Sequence, residues 1–322
     1  MCVRDRIIMY GLKFFLAIVA VAIAASAQPY GYVSNQMENS VAVVNRANNT
    51  ITSKIFISAA GLSGLAVTPD GSYLYVAEQS KNSVGVISTA TKSIVATIRV
   101  GTGPVQVAIN PGGTAAYVAN QLSNNVSVIN TSTKAVVATI PVGTRPVGIA
   151  ATPDGTKVLV TNLLSSNISI ISTATNTVTA TWATASGPNG IAVDSHGSRA
   201  YVANQYANSV TIHDVPSGSI AATIKGFAAP NYVAVTPDAS QAYVTNANRS
   251  SVSVIKLSSL QIVATIGVGV LPTSVAVSSD GSTAYVTNGY GYSVTEIYTA
   301  TNKIKCTMAS IGVFPFAVVL YH

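Results

Sequence analysis

Short runs of Val, Ile, Ala and Tyr interleaved with Ser and Thr recur along the whole chain, and each run stops at Gly, Pro, Asn or Asp. Residues 102–143 show the pattern most plainly. Pro104 to Ile109 predicts a strand, Asn110-Pro111-Gly112-Gly113 a turn, and Ala115 to Val118 a second strand. A loop over Asn120 to Asn124, a strand over Val126 to Ile129, a turn over Asn130 to Lys134 and a strand over Ala135 to Val142 complete the unit. β-Branched and aromatic residues suit a pleated, half-buried backbone, and the turn residues interrupt it.

The unit repeats. Tyr117-Val118-Ala119-Asn120 has near-copies beginning at Tyr32, Tyr75, Leu159, Tyr201, Tyr243 and Tyr285, and from 75 onward the step is always 42 residues. Thr68-Pro69-Asp70-Gly71, Thr152-Pro153-Asp154-Gly155 and Ser279-Asp280-Gly281 mark the turn between the first two strands, here called A and B. In these turns Pro fixes the first φ, Asp bonds the turn backbone and Gly takes the positive φ. Four antiparallel strands per repeat, seven times over, predict an all-β, seven-bladed β-propeller. The first repeat lacks strand A, and Phe314 to Val319 resembles a strand A with nothing after it. Pairing the N- and C-terminal strands in one blade would close the ring and remove its exposed edges.

The Tyr-Val-Thr-Asn tetrapeptide, the Pro-Asp-Gly turn and the Val-Gly-x-x-Pro linkers at Val100 to Pro104 and Val142 to Pro146 resemble the YVTN β-propeller repeat family, which includes YncE-like exported proteins. The resemblance spans residues 28–322 and is specific for fold. It implies a choice among surface or periplasmic binding proteins, lactonases, lyases and cofactor-carrying propellers. Glu78 in place of Asn and Leu159 in place of Tyr depart from the motif.

The N-terminus adds a destination. Arg4, Arg6 and Lys13 precede twelve apolar residues, Phe14 to Ala25, and Ala25-Ser26-Ala27 offers a cleavage site. This predicts a signal peptide over residues 1–27 and an exported single domain over 28–322 in a periplasm, at the surface or outside the cell. The run falls short of the roughly 20 residues of a spanning helix, so no stable membrane insertion is expected after cleavage. Cleavage would remove three of 17 basic residues and one of ten acidic ones, an excess of five remaining, and would leave Cys306 as the sole cysteine. Cys306 falls where other repeats have Ala and reads as a small buried side chain.

Candidate chemistry is sparse. The repeated Asn35, Asn120, Asn162, Asn204, Asn246 and Asn288 are read as structural, bonding loop backbone at the strand end. Asp70, Asp154, Asp238 and Asp280 fall in A–B turns, and His196, His213 and His322 lack metal-ligand spacing. No catalytic residue, metal or cofactor is expected. Glu296 and Lys305 both stand where other repeats carry Val or Ile; they are expected to face each other as a cross-strand ion pair, a local compensation and not a catalytic acid. The B–C loops and D–A linkers share one face and differ between repeats, and loops on a rigid scaffold are where binding concentrates. Tyr206, Phe227, Tyr290, Tyr292 and Phe314 are expected there as apolar or stacking contacts, with Arg145, Lys225 and Arg249 as polar or anion partners. The reading is an exported, non-enzymatic binding module for a protein, glycan or small molecule, with nucleic acid unfavoured. A lactonase- or lyase-type propeller enzyme and a self-associating envelope protein are the alternatives.

Overall fold

The computed structural model describes residues 30–321, so the predicted signal peptide lies outside the described residues. Within them, 28 strands form seven four-stranded antiparallel sheets. Each blade runs A to D outward from a central channel. Blade 3, for example, contains Pro104–Ile109, Ala115–Asn120, Asn125–Asn130 and Ala135–Pro141. In blade 1 the last strand, Pro315–Leu320, pairs beside Tyr30–Asn35, with Tyr32 opposite Val319 and Val33 opposite Val318. The N-terminal residues thus supply the outer three strands of a blade whose inner strand is C-terminal, and the ring is closed.

The core lies between blades. The tyrosine of strand B is buried in every blade that carries it, and in blades 2, 6 and 7 its hydroxyl reaches the C–D turn of the next blade. Tyr243 Oη donates to Asn302 Oδ1 at 2.7 Å, and Tyr75 Oη to the Thr131 carbonyl at 3.4 Å. Burial raises the Tyr75 phenol to about 12. Leu159, in the same position of blade 4, fills an apolar contact with Ile191 and Val215 that needs no hydroxyl partner.

The repeated asparagines are buried, and most bond side chains of strand C where loop backbone was expected. Asn120 Nδ2 donates to Asn125 Oδ1 at 2.8 Å and to Ser127 Oγ at 2.9 Å. Asn162 does the same with Asn167 and Ser169, Asn246 with Ser251 and Ser253, and Asn288 with Ser293 and Thr295. Asn204 donates to Thr211 Oγ1, and Asn35 to Ser40 Oγ and the Ile311 carbonyl. The side chain points into the hairpin, out of reach of solvent, and the hydroxyls of the paired strand are its nearest acceptors. Glu78 substitutes by accepting from Ser83 Oγ at 2.6 Å, and Gly85 stands where the other strands place Ser, Thr or Ala; a Cβ there would come within 2.5 Å of Glu78 Oε1.

Glu296 and Lys305 form an ion pair at 3.1 Å, but not in the expected register. A bulge between Glu296 and Ile297 sets Cys306 opposite Glu296. One residue of strand D has no direct partner at such a bulge, which a count from the turn cannot reveal. Glu296 is also 1% exposed, so the pair is not the solvent-exposed kind.

Candidate functional site at the channel mouth

The B–C loops and D–A linkers surround one end of the channel, and the second and third residues of strand A face it. Gly64 and Gly190 let neighbouring A strands approach: a Cβ on Gly64 would strike Gln106, and one on Gly190 would meet Tyr232 Cα at 2.7 Å. The larger side chains then fill the axis unevenly. Gln106 Nε2 of blade 3 donates across the channel to Tyr232 Oη of blade 6 at 2.9 Å. This bar separates a mouth chamber of about 280 Å³ from a second chamber of about 380 Å³ on the A–B turn side.

The mouth chamber is lined by amides. Gln79, Gln106, Gln121, Asn189, Gln205 and Asn231 converge there with Arg145, Leu163, Tyr206, Tyr232 and Phe316. Besides Gln106, two more of the amides are held in place: Asn189 Nδ2 donates to Asn231 Oδ1 at 2.6 Å, and Asn231 Nδ2 to the Thr273 carbonyl at 2.8 Å. Desolvation raises the Tyr232 phenol to about 12, so it acts as a neutral donor or acceptor. Arg145 ends its linker with φ at 61°, where Gly61, Gly103 and Gly187 take the positive φ in other blades. A side chain in that conformation costs about 1 kcal/mol, and the backbone N–H of Arg145 donates to Asn124 Oδ1 at 2.8 Å.

Of the residues expected to contact a ligand, the structure brings Arg145 and Tyr206 together in the chamber. Tyr290 and Phe314 meet edge to face at 5.1 Å, outside the chamber lining, and Phe314 is itself buried, which corrects its expected role as a ligand contact. Lys225, Arg249 and Tyr292 are exposed and do not line it. Phe227 is corrected: it is 5% exposed and packs with Tyr201, Ile224 and Val233 between blades 5 and 6, so it has no face to offer a ligand. The sequence reading missed Gln106, Asn189, Asn231 and Tyr232. Their signal was polar or bulky residues at strand-A positions that carry Val, Gly or Ser elsewhere.

Charge divides between the two faces. Asp70, Asp154, Asp194, Asp238 and Asp280 occupy A–B turns, and Asp214 opens a C–D turn on the same side. Hydroxyl and backbone donors in these turns hold the carboxyls low: Thr68 beside Asp70, and Ser278 and Ser282 beside Asp280, which falls to about 2. Toward the mouth lie Lys81, Arg99, Arg145, Lys225 and Arg249. Glu38 on that side is paired with Lys54 at 2.8 Å, and Glu78 is buried. The mouth face therefore holds most of the positive excess. Among the described residues no group of three or more His, Cys, Asp or Glu is placed to hold a metal ion, and no helix is long and apolar enough to cross a membrane.

The family described as "Lactonase, 7-bladed beta-propeller" matches residues 92–237, the segment that supplies most of the chamber lining. No curated protein shows a significant match. Among solved structures, hydrazine synthase from Kuenenia stuttgartiensis superposes with TM-score 0.77 at 24% identity, over 84% of this chain and 92% of that one. A functionally unknown protein from Desulfotomaculum acetoxidans gives 0.81 at 18% identity, over 91% and 99%. A Bacteroides fragilis structure described as a candidate 6-phosphogluconolactonase gives 0.78 at 15% identity, over 92% and 99%. These likenesses establish the seven-bladed fold. The name suggested by the YVTN-type repeat does not come from them.

Proposed function

We propose that the protein is an exported binding module whose channel mouth takes a small anionic ligand rich in hydrogen-bonding groups. The observation that supports this is the convergence of six amide residues and Arg145 on one chamber, on the face that holds the positive excess. Amides recognise hydroxyl and carbonyl groups without charge, and Arg145 supplies a forked donor for a carboxylate or phosphate. Leu163 and Tyr206 offer the apolar surface against which such a ligand would rest. Export rests on the N-terminal basic and apolar segment.

The partial lactonase match favours a second reading, hydrolysis of a cyclic ester in the same chamber. That chemistry needs a group to take a proton from water. The ionisable side chains among the described lining residues are Arg145, Tyr206 and Tyr232, and for this reason binding is placed first. A thermal-shift panel of sugar acids, sugar phosphates and dicarboxylates, followed by titration of the best stabiliser, tests the binding reading. No stabilisation by any anion would count against it. Proton release from a panel of lactones, abolished by Arg145→Ala, would instead establish the enzyme.

A further inference from the structure

The seam between blades 7 and 1 contains a cluster found at no other seam. Glu296 in strand C of blade 7 is buried, and both its oxygens are engaged. Lys305 Nζ donates to Oε1 at 3.1 Å, and Tyr285 Oη to the same oxygen at 2.7 Å. Asn49 Nδ2, from the C–D turn of blade 1, donates to Oε2 at 2.6 Å. One carboxylate thus binds a primary amine on Oε1 and a carboxamide on Oε2, across the junction where the two ends of the chain meet, with Cys306 Sγ 3.3 Å from Asn49 Nδ2 and 3.5 Å from Glu296 Oε2. Tyr285 Oη also lies 3.4 Å from Asn49 Oδ1, on the carbonyl side of the same amide.

From this geometry we infer that Asn49 and Lys305 are joined by an intramolecular amide bond, formed with Glu296 as the proton-transfer group and not, as the sequence suggested, only as a local charge partner. Lys305 passes a proton to Glu296 and its Nζ attacks Cγ of Asn49, making a C–N bond. Glu296 then gives a proton to Nδ2, the Cγ–Nδ2 bond breaks and ammonia leaves. In sum, a protonated amine and a primary amide become a secondary amide and ammonium; nothing is oxidised or reduced and no further reactant is needed. Amines become nucleophiles when an adjacent base takes their proton, and holding both partners in one pocket replaces a bimolecular encounter. Tyr285 is the hydroxyl placed to steady the developing oxyanion.

The neighbouring seam provides an internal comparison. Asn302 in blade 7 occupies the place of Asn49 and accepts from Tyr243 Oη at 2.7 Å. There the counterparts of Glu296 and Lys305 are Val254 and Val263, so amine and carboxylate are both missing. The bond would tie the outer strands of blade 1, otherwise held by strand pairing, side-chain hydrogen bonds and apolar packing, covalently to blade 7. It would give the ring a covalent closure where the described residues contain one cysteine and hence no disulfide.

The intact mass of the full chain decides the matter. The expected result is a deficit of one ammonia relative to the sequence, together with a branched tryptic species. That species joins residues 47–54, which contain Asn49, to residues 304–322, left uncut at Lys305. The Glu296→Gln variant should keep the full mass while retaining both reacting residues. A wild-type chain of unaltered mass, cleaved normally after Lys305, would overturn the inference, as would a deficit of water, which would place the bond on Glu296. Because the wild-type measurement is decisive, the conclusion does not depend on whether the variant folds.

Discussion

The A–B turn face and the channel-mouth face are built from the same seven repeats, yet they differ in how much they vary. On the turn face the blades repeat one solution: Thr68 with Asp70, Thr152 with Asp154 and Ser278 with Asp280 make the same hydroxyl-to-carboxylate bond. On the mouth face equivalent positions carry Gly64, Gln106, Gly148, Gly190, Tyr232, Ser274 and Ala317. Repetition marks what every blade needs in order to fold. Departure from it marks what the molecule does once, either to recognise a ligand or to close its ring.

Removing residues 313–322 should break the comparison altogether, because it takes strand A from blade 1 and opens the channel for both faces. The expected loss exceeds about 4 kcal/mol, seen as a collapse of the denaturant midpoint. Melting like the full chain would show that closure is dispensable. A smaller effect separates a repeated tyrosine from a variable one. Tyr243→Ala should cost roughly 3 to 5 kcal/mol, since the ring is fully buried and its hydroxyl bridges two blades. Tyr206→Ala, at a side chain 55% exposed, should stay within about 0.5 kcal/mol. Equal costs in chemical denaturation would erase the distinction.

A weaker effect still is expected from acid. His213 is buried against Trp182, 3.2 Å from Thr184 Oγ1, and burial lowers its pKa below 6.5. The unfolded chain then binds a proton that the folded chain does not, so stability falls as pH drops below 6.5 toward the depressed folded value. His213→Ile, the residue at the matching position of blades 2, 3, 4, 6 and 7, should flatten stability against pH in that window. An unchanged slope would mean that His213 does not set it. Asp280 acts at lower pH. Its folded pKa of about 2 lies below 3.8, so its contribution is present above 3.8 and lost as pH falls toward 2. The group is largely solvated and the effect correspondingly slight.

What could be read from the sequence follows the same division. The strands, the blade count and the closing partnership were legible because they recur, and the unpaired fragments at the two ends complement each other. The bulge beside Glu296 is the exception: it recurs between strands C and D of all seven blades, yet a register shift leaves no mark in residue type. Phe227 and Phe314 look alike in their linkers and both are largely buried, Phe227 inside a blade interface and Phe314 against Tyr290. Gln106 and Tyr232 are far apart in sequence, and only the ring sets them on opposite sides of one channel.

Ligand binding at the mouth is tested by setting the two faces of a single blade against each other. The tightest anion from the thermal-shift panel would be titrated into the wild-type chain, Arg145→Ala and Asp154→Ala. Arg145 ends the linker into blade 4 at the mouth, and Asp154 lies in the A–B turn of the same blade. Losing a charge-assisted contact of about 1.4 kcal/mol weakens binding tenfold. Arg145→Ala should show at least that loss, and Asp154→Ala an unchanged Kd. Equal weakening by both, or weakening by Asp154→Ala alone, would contradict binding at the mouth.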